Sequence, residues 1–204
     1  CWRVMSAMLV TELLEAERTG SRWLMIVLHG LGDSMEGYRW LPEVLQIPEL
    51  NYLLVNAPDS YYEGYSWYDI DDPNSGVERS RNVLTEVLGQ MQREGYPPEK
   101  TYLFGFSQGC LMTMEFVSRY EHALGGYVGI SGYCLSPEAI LTEMNPATNN
   151  HKWLITHGVQ DELIPIQVVR SQIKKLNDSG FAIDYREYTK SHTIAPVREW
   201  PDIR

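Results

Sequence analysis

The sequence predicts a doubly wound α/β sheet, mostly parallel and flanked by helices. Two observations predict it. Short apolar runs recur without polar interruption, and segments with helical spacing of apolar residues separate them. A strand covered on both faces of a sheet must be apolar in both side-chain directions, so its run is continuous rather than alternating. Regular strand–helix alternation then argues for parallel strands joined by helical crossovers.

The elements follow in order. Residues 8–14 read as an antiparallel edge strand. The runs 23–28, 52–55, 101–104, 126–130 and 152–156 read as buried parallel strands, and 181–188, which alternates more, as a strand near an edge. Val77, Leu84, Val87, Leu88 and Met91 recur at helical spacing, and Gly95 followed by Pro97 and Pro98 stops that helix. Residues 108–120, 137–144 and 166–176 read as further helices, the second opened by Ser136 and Pro137, a residue suited to a first helical turn. In such sheets ligands bind beyond the carboxyl ends of the strands, so chemistry is sought just after each apolar run.

At 204 residues the chain is expected to form one domain spanning 1–204. A chain this long buries roughly 70% of its extended surface and needs no disulfide or metal staple. Its 44% hydrophobic content excludes disorder. No apolar run approaches the ~20 residues of a membrane span. The net charge of −10 argues against a nucleic-acid partner and names no substrate. Three cysteines, Cys1, Cys110 and Cys134, lack framework spacing and imply a reducing, cytoplasmic compartment. With no CxxC or HExxH, a metal site is not expected. Cys1 reads as a cloning remnant or as sequence downstream of an earlier start; the alternative is the first residue of a mature lipoprotein.

After the 101–104 run comes Gly105-Phe106-Ser107-Gln108-Gly109, then a helical pattern. This is G-x-S-x-G between strand and helix, the setting of a nucleophile elbow. Ser107 would sit in a strained turn with positive φ, and Gly105 and Gly109 leave room for it. The same turn puts Ser107 at a helix N-terminus, where free N–H groups favour developing negative charge. The competing reading is a glycine-rich turn with an N-cap serine.

Two amides are the candidate oxyanion donors: Gln108, next to the nucleophile, and Leu31, in the glycine-rich turn His29-Gly30-Leu31-Gly32-Asp33 after the first buried strand. For the base, the order nucleophile–acid–histidine leaves His122, His151, His157 and His192. His122 reads as solvated after a helix, and His151 precedes a strand and lies at the wrong end of the sheet. Asp161 follows a strand end, whereas Asp178 reads as a turn residue and Asp184 lies within a strand. Asp161 is therefore the orienting acid and His192 the base. His157 is the rival base but precedes the acid by four residues; with His29 it reads as a packed histidine at a strand end.

Together, Leu28-His29-Gly30-Leu31-Gly32-Asp33, Ser66-Trp67-Tyr68-Asp69-Ile70, the Ser107 elbow, His157-Gly158-x-x-Asp161 with Pro165, and the late His192 resemble the phospholipase/carboxylesterase family. The resemblance runs from about residue 23 to about residue 200. It implies an α/β-hydrolase fold without a large cap domain. It implies Ser107, Asp161 and His192 as a triad, Leu31 and Gln108 as oxyanion donors, and no cofactor or metal. The implied substrate is a small-molecule ester or an acylated compound, cleaved as a carboxylic ester or thioester. Trp67 and Leu163 would border the acyl site; the residues alone read equally well as packing.

The chain departs from the family pattern in four places. Cys110 and Ser191 stand where glycine or another small residue is common, the segment 56–65 carries Tyr61, Tyr62 and Tyr65, and the chain stops soon after Trp200, where a final helix is usual. Cys110 as a catalytic thiol is disfavoured, because it lies beyond the elbow tip and should point away from the site. Two other functions compete: a lysophospholipase or lipase acting on lipid, and a non-catalytic binding protein of the same fold. Apolar loop residues suit either a homodimer interface or a substrate rim.

Overall fold

The computed structural model describes residues 2–5, 9–147 and 152–204; Cys1, Met8 and His151 lie outside them. In chain order the elements are β1 (Trp2–Met5), β2 (Val10–Leu14), β3 (Trp23–Leu28), α1 (Leu41–Leu45), β4 (Leu50–Val55), β5 (Asp59–Tyr61), β6 (Gly64–Ser66), α2 (Pro73–Arg93), β7 (Thr101–Phe106), α3 (Gln108–Val117), β8 (Gly126–Ile130), α4 (Pro137–Glu143), β9 (Trp153–Gly158), α5 (Ile166–Asp178), β10 (Ile183–Tyr188) and α6 (Pro196–Ile203). Eight strands form one sheet in the order β1-β2-β4-β3-β7-β8-β9-β10, and β5 and β6 form a separate hairpin. Pairing is parallel from β4 through β10 and antiparallel at β1–β2 and β2–β4.

The continuous apolar runs have the expected cause. In β3, Leu24, Ile26 and Leu28 pack on one face with α2, α3 and α5, while Met25 and Val27 pack on the other with Leu41, Leu45 and Trp200 of α1 and α6. Both side-chain directions are buried, so neither tolerates a polar residue. On α2, Val77, Val83, Leu84, Val87, Leu88 and Met91 face the core. Gly95 ends this helix with φ 95°, its N–H reaching the Gln92 carbonyl while Tyr96 N–H reaches Met91. That pair of bonds is a Schellman cap, which needs a left-handed residue at this position. Ser136 caps α4 by accepting the Ala139 N–H at 3.1 Å.

The parallel register brings the strand ends to one edge. Leu28 pairs with Gly105, Gly105 with Gly129, and Ile130 with Thr156. The loops that follow β3, β7, β8, β9 and β10 therefore emerge side by side. Four elements escaped the sequence reading: β1, α1, the β5–β6 hairpin and α6. The last is a correction, since the segment after His192 does form a final helix, with Trp200 packed edge-on against Trp40 at 5.2 Å between ring centres.

Candidate active site

Ser107 is the residue between β7 and α3, with φ 55° and ψ −115°. A conformation of this kind costs on the order of 1–3 kcal/mol and persists only where neighbours impose it. Two glycines permit it here. A Cβ on Gly109 would stand 2.1 Å from the Leu28 carbonyl oxygen, and one on Gly105 would stand 2.2 Å from the Gly109 carbonyl oxygen. The turn is held from below by the Ser107 N–H, which donates to Ile130 O at 2.9 Å.

Three side chains, far apart in sequence, converge above the strand ends. His192 Nε2 lies 2.8 Å from Ser107 Oγ, and His192 Nδ1 lies 2.8 Å from Asp161 Oδ2. Asp161 is buried, and its other oxygen accepts the N–H groups of Leu163 and Ile164 at 3.0 and 2.9 Å. Burial alone would raise its pKa, but the Ile164 amide and the His192 hydrogen bond outweigh that and hold the carboxyl below the usual carboxylate range. An ionised Asp161 accepts the imidazole Nδ1–H, which leaves Nε2 free to accept the serine proton.

Of the two candidate oxyanion amides, that of Gln108 follows this serine directly, and the turn carrying Leu31 packs on it through Gly30, where a Cβ would stand 3.4 Å from Ser107 Cβ. Gln108 begins α3, so its N–H has no intrahelical acceptor. Leu31 sits in the turn after β3. The neutral His29 ring braces that turn: Nδ1–H donates to Gly30 O at 2.6 Å, and Nε2 accepts the Ala57 N–H at 3.0 Å. Burial pushes the His29 pKa down, which keeps this tautomer neutral. The hairpin clasps the same turn, with Gly32 N–H donating to Tyr65 O and Tyr65 N–H to Asp33 O, both at 2.9 Å. Gly64 is obligatory there, because a Cβ would stand 2.2 Å from Gly32 O.

Comparison with known proteins supplies a family for the chain. The Phospholipase/Carboxylesterase family profile matches residues 11–199. The chain belongs to the phospholipase/carboxylesterase family. It is 30% identical over 214 aligned residues to acyl-protein thioesterase 1 of Candida albicans, covering 93% of each chain, and 28% identical to that of Kluyveromyces lactis, covering 88% of each. Among solved structures it superposes on esterase PE8 with a TM-score of 0.85 at 26% identity, covering 96% of this chain and 95% of the other. It is a hydrolase of the esterase type with an α/β-hydrolase fold.

In this phospholipase/carboxylesterase member Trp67 does not line the open site. It has no exposed surface, and its indole N–H donates to His29 O at 3.0 Å, behind the Leu31 turn. The resemblance suggested a substrate contact; an indole this tightly packed instead supports the turn. Leu163, by contrast, is 73% exposed on the loop that carries Asp161. Cys110 is fully buried against Gly129 and Gly132, and burial pushes its thiol up to about 12, which makes it a packing residue. His122 is exposed beside Glu121. Asp178 and Asp184 are exposed and paired with Lys174 and Arg186.

Three sets of contacts in the esterase were not read from sequence. The Gln108 side chain accepts the Trp67 N–H and donates to Tyr68 O, both at 2.8 Å, locking the start of α3 to the segment that follows β6. His157 lies under Asp161, its Nε2 3.6 Å from Oδ2 and tied to Ile164 O at 2.9 Å. Lys190 and Glu199 form a buried ion pair on either side of His192. A cavity of about 300 Å³ opens beside Leu31, lined also by Tyr61, Tyr68, Asp69 and Ile70. A larger groove of about 730 Å³ runs between Trp23, Tyr102 and Lys152 at the amino ends of the strands, away from the serine. Among the described residues no group of three or more His, Cys, Asp or Glu side chains is arranged to hold a metal, and no helix is long and apolar enough to cross a membrane.

Proposed function

We propose that this esterase cleaves carboxylic esters or thioesters through an acyl-enzyme, with Ser107 as nucleophile, His192 as general base and acid, and Asp161 as the group that orients and charges against His192. The observation that carries the reading is the unbroken relay Ser107–His192–Asp161, two contacts of 2.8 Å with the serine held at positive φ.

In the first half-reaction, Ser107 Oγ attacks the acyl carbonyl as His192 Nε2 takes its proton. The carbonyl oxygen becomes an anion, met by the N–H groups of Leu31 and Gln108; one such donor is worth about 3–4 kcal/mol in the transition state. Asp161 stabilises the imidazolium. Collapse of the tetrahedral adduct breaks the bond to the leaving alcohol or thiol, which departs with the proton from His192. In the second half, His192 takes a proton from water, the hydroxyl attacks the acyl-serine, and collapse returns the proton to Ser107 and frees the acid.

The cavity beside Leu31 supplies the acyl subsite. At about 300 Å³ it sits at the small end of ligand pockets, roughly 300–1,000 Å³. Acyl groups of a few carbons fit inside it, and longer chains would extend over the exposed Tyr62, Ile70 and Leu163. The relatives named acyl-protein thioesterase favour acylated substrates, including thioesters. A chain-length series of nitrophenyl esters and acyl thioesters on the wild type and Ser107→Ala tests this. Turnover abolished by Ser107→Ala supports the reading, and turnover that survives it overturns it.

A further inference from the structure

The segment between β10 and α6 carries His192, and the mechanism above uses none of its other side chains. Lys190 in this segment and Glu199 in α6 are nonetheless both charged and buried. Lys190, two residues before the histidine, and Glu199, seven after it, are 2% and 0% exposed and meet at 2.6 Å. Every donor of the ammonium is used: Glu199 Oε1 at 2.6 Å, Thr193 O at 2.8 Å and Ser131 Oγ at 3.2 Å. The carboxylate is equally occupied, with Oε1 also accepting the Thr156 hydroxyl and Oε2 accepting the Ala195 N–H, both at 2.5 Å.

Burying two opposite charges is a poor way to gain stability, because desolvation offsets most of their attraction and a well-packed apolar pair serves as well or better. What such a pair does supply is fixed geometry. Its contacts reach the ends of β8 and β9. Ser131 follows β8, whose last residue, Ile130, accepts the Ser107 N–H at 2.9 Å. Thr156 lies in β9, and the Lys190 carbonyl accepts the Gln160 N–H at 3.1 Å, next to Asp161. Gly158 lies against this carbonyl so closely that a Cβ would stand 2.3 Å away. Thr193 and Ala195, one and three residues after His192, are bonded directly to the pair.

We propose that the Lys190–Glu199 ion pair is the positioning device for His192: it pins both ends of the histidine loop to β8 and β9, so that one imidazole spans Ser107 and Asp161. Lys190 and Glu199 are positioning residues and touch no substrate. The proposal rests on the triad reading above.

The test compares Lys190→Met, Glu199→Gln, the neutral double variant Lys190→Met/Glu199→Leu, and the milder Thr156→Val. Two readouts are taken: kcat and KM for a short nitrophenyl ester, and the low-field proton resonance of His192 Nδ1–H, assigned by its loss in Asp161→Asn. The single charge variants should lower kcat roughly 10- to 100-fold with KM within about twofold, as expected when a reactive group is displaced by about an ångström. The low-field resonance should weaken or vanish with them. The double variant separates the roles. A pair that only stabilises the fold would give back both Tm and kcat once no charge is left unpaired, whereas a positioning pair leaves kcat low. If the charge variants do not fold, Thr156→Val decides, with kcat expected to fall about 3- to 10-fold at unchanged KM. Wild-type kcat together with an unshifted resonance in any folded charge variant, or in Thr156→Val, overturns the proposal. A wild type with neither the resonance nor Ser107-dependent turnover overturns the triad reading itself, and the positioning role with it.

Discussion

The carbonyl oxygen of Leu28, the last residue of β3, lies 2.1 Å from where a Cβ on Gly109 would stand. This contact places the first turn of α3 directly on the strand that leads into the Leu31 turn. Both candidate oxyanion amides therefore depend on one interatomic approach. In an ordinary helix Gly→Ala is stabilising by about 1 kcal/mol. Here the backbone must move instead, and overpacking of this kind costs about 1–3 kcal/mol. Gly109→Ala should lower stability in urea unfolding, opposite in sign to the propensity effect, and lower kcat/KM at least 10-fold.

The Gln108 side chain makes a second, separable prediction. Its amide fills hydrogen bonds to Trp67 N–H, Tyr68 O and Ser66 Oγ in a buried site. Gln108→Ala leaves the Trp67 N–H without its acceptor, while Ser66 Oγ still donates to Tyr68 O, so one buried polar group is orphaned at about 1–3 kcal/mol. The backbone N–H at position 108 remains. Denaturant unfolding should show the loss, while the variant that still folds should keep its serine reactive toward a fluorophosphonate.

Asp161→Asn preserves an acceptor for Leu163 and Ile164 but cannot accept from His192 in the right tautomer. The expected drop in kcat is about 10⁴-fold, with KM little changed. A loss of less than 10-fold in steady-state assays would argue that another group orients the histidine.

Two buried histidines set a stability profile in acid. Burial lowers the pKa of both His29 and His157 from an ordinary value of 6.5. The unfolded chain therefore binds protons before the folded one as pH falls. Stability is full above the unfolded value, and it is lost as pH drops from there toward the lower folded values. Each group contributes at most about 1.4 kcal/mol per pH unit within that window. Urea midpoints should begin to decline as pH falls through about 6.5, ahead of general carboxylate protonation, and His29→Asn should flatten that decline by one group's share.

Where the sequence was legible, the reason is local. The run Trp23-Leu24-Met25-Ile26-Val27-Leu28 is apolar because both faces of β3 are covered, and Gly105-Phe106-Ser107-Gln108-Gly109 is readable because its spacing meets one steric demand. The hairpin was hidden because Asp59-Ser60-Tyr61 and Gly64-Tyr65-Ser66 are three-residue strands that pair only with each other and, through Tyr65, with the distant Gly32-Asp33 turn. Trp67 was assigned to the acyl site by resemblance, yet its indole is spent on His29 O. Neither Lys190 nor Glu199 was singled out in the sequence, since nothing local to either residue tells that the other meets it in the interior.

The central claim is that Ser107 is the nucleophile activated by His192 at 2.8 Å. The most direct measurement is mass-spectrometric mapping of a fluorophosphonate adduct on the folded wild type and on Ser107→Ala. The account predicts one adduct per chain, on the peptide containing Ser107, and none on the variant with its circular dichroism unchanged. Labelling of Ser107→Ala at the wild-type rate, or an adduct on another residue in the wild type, would contradict it.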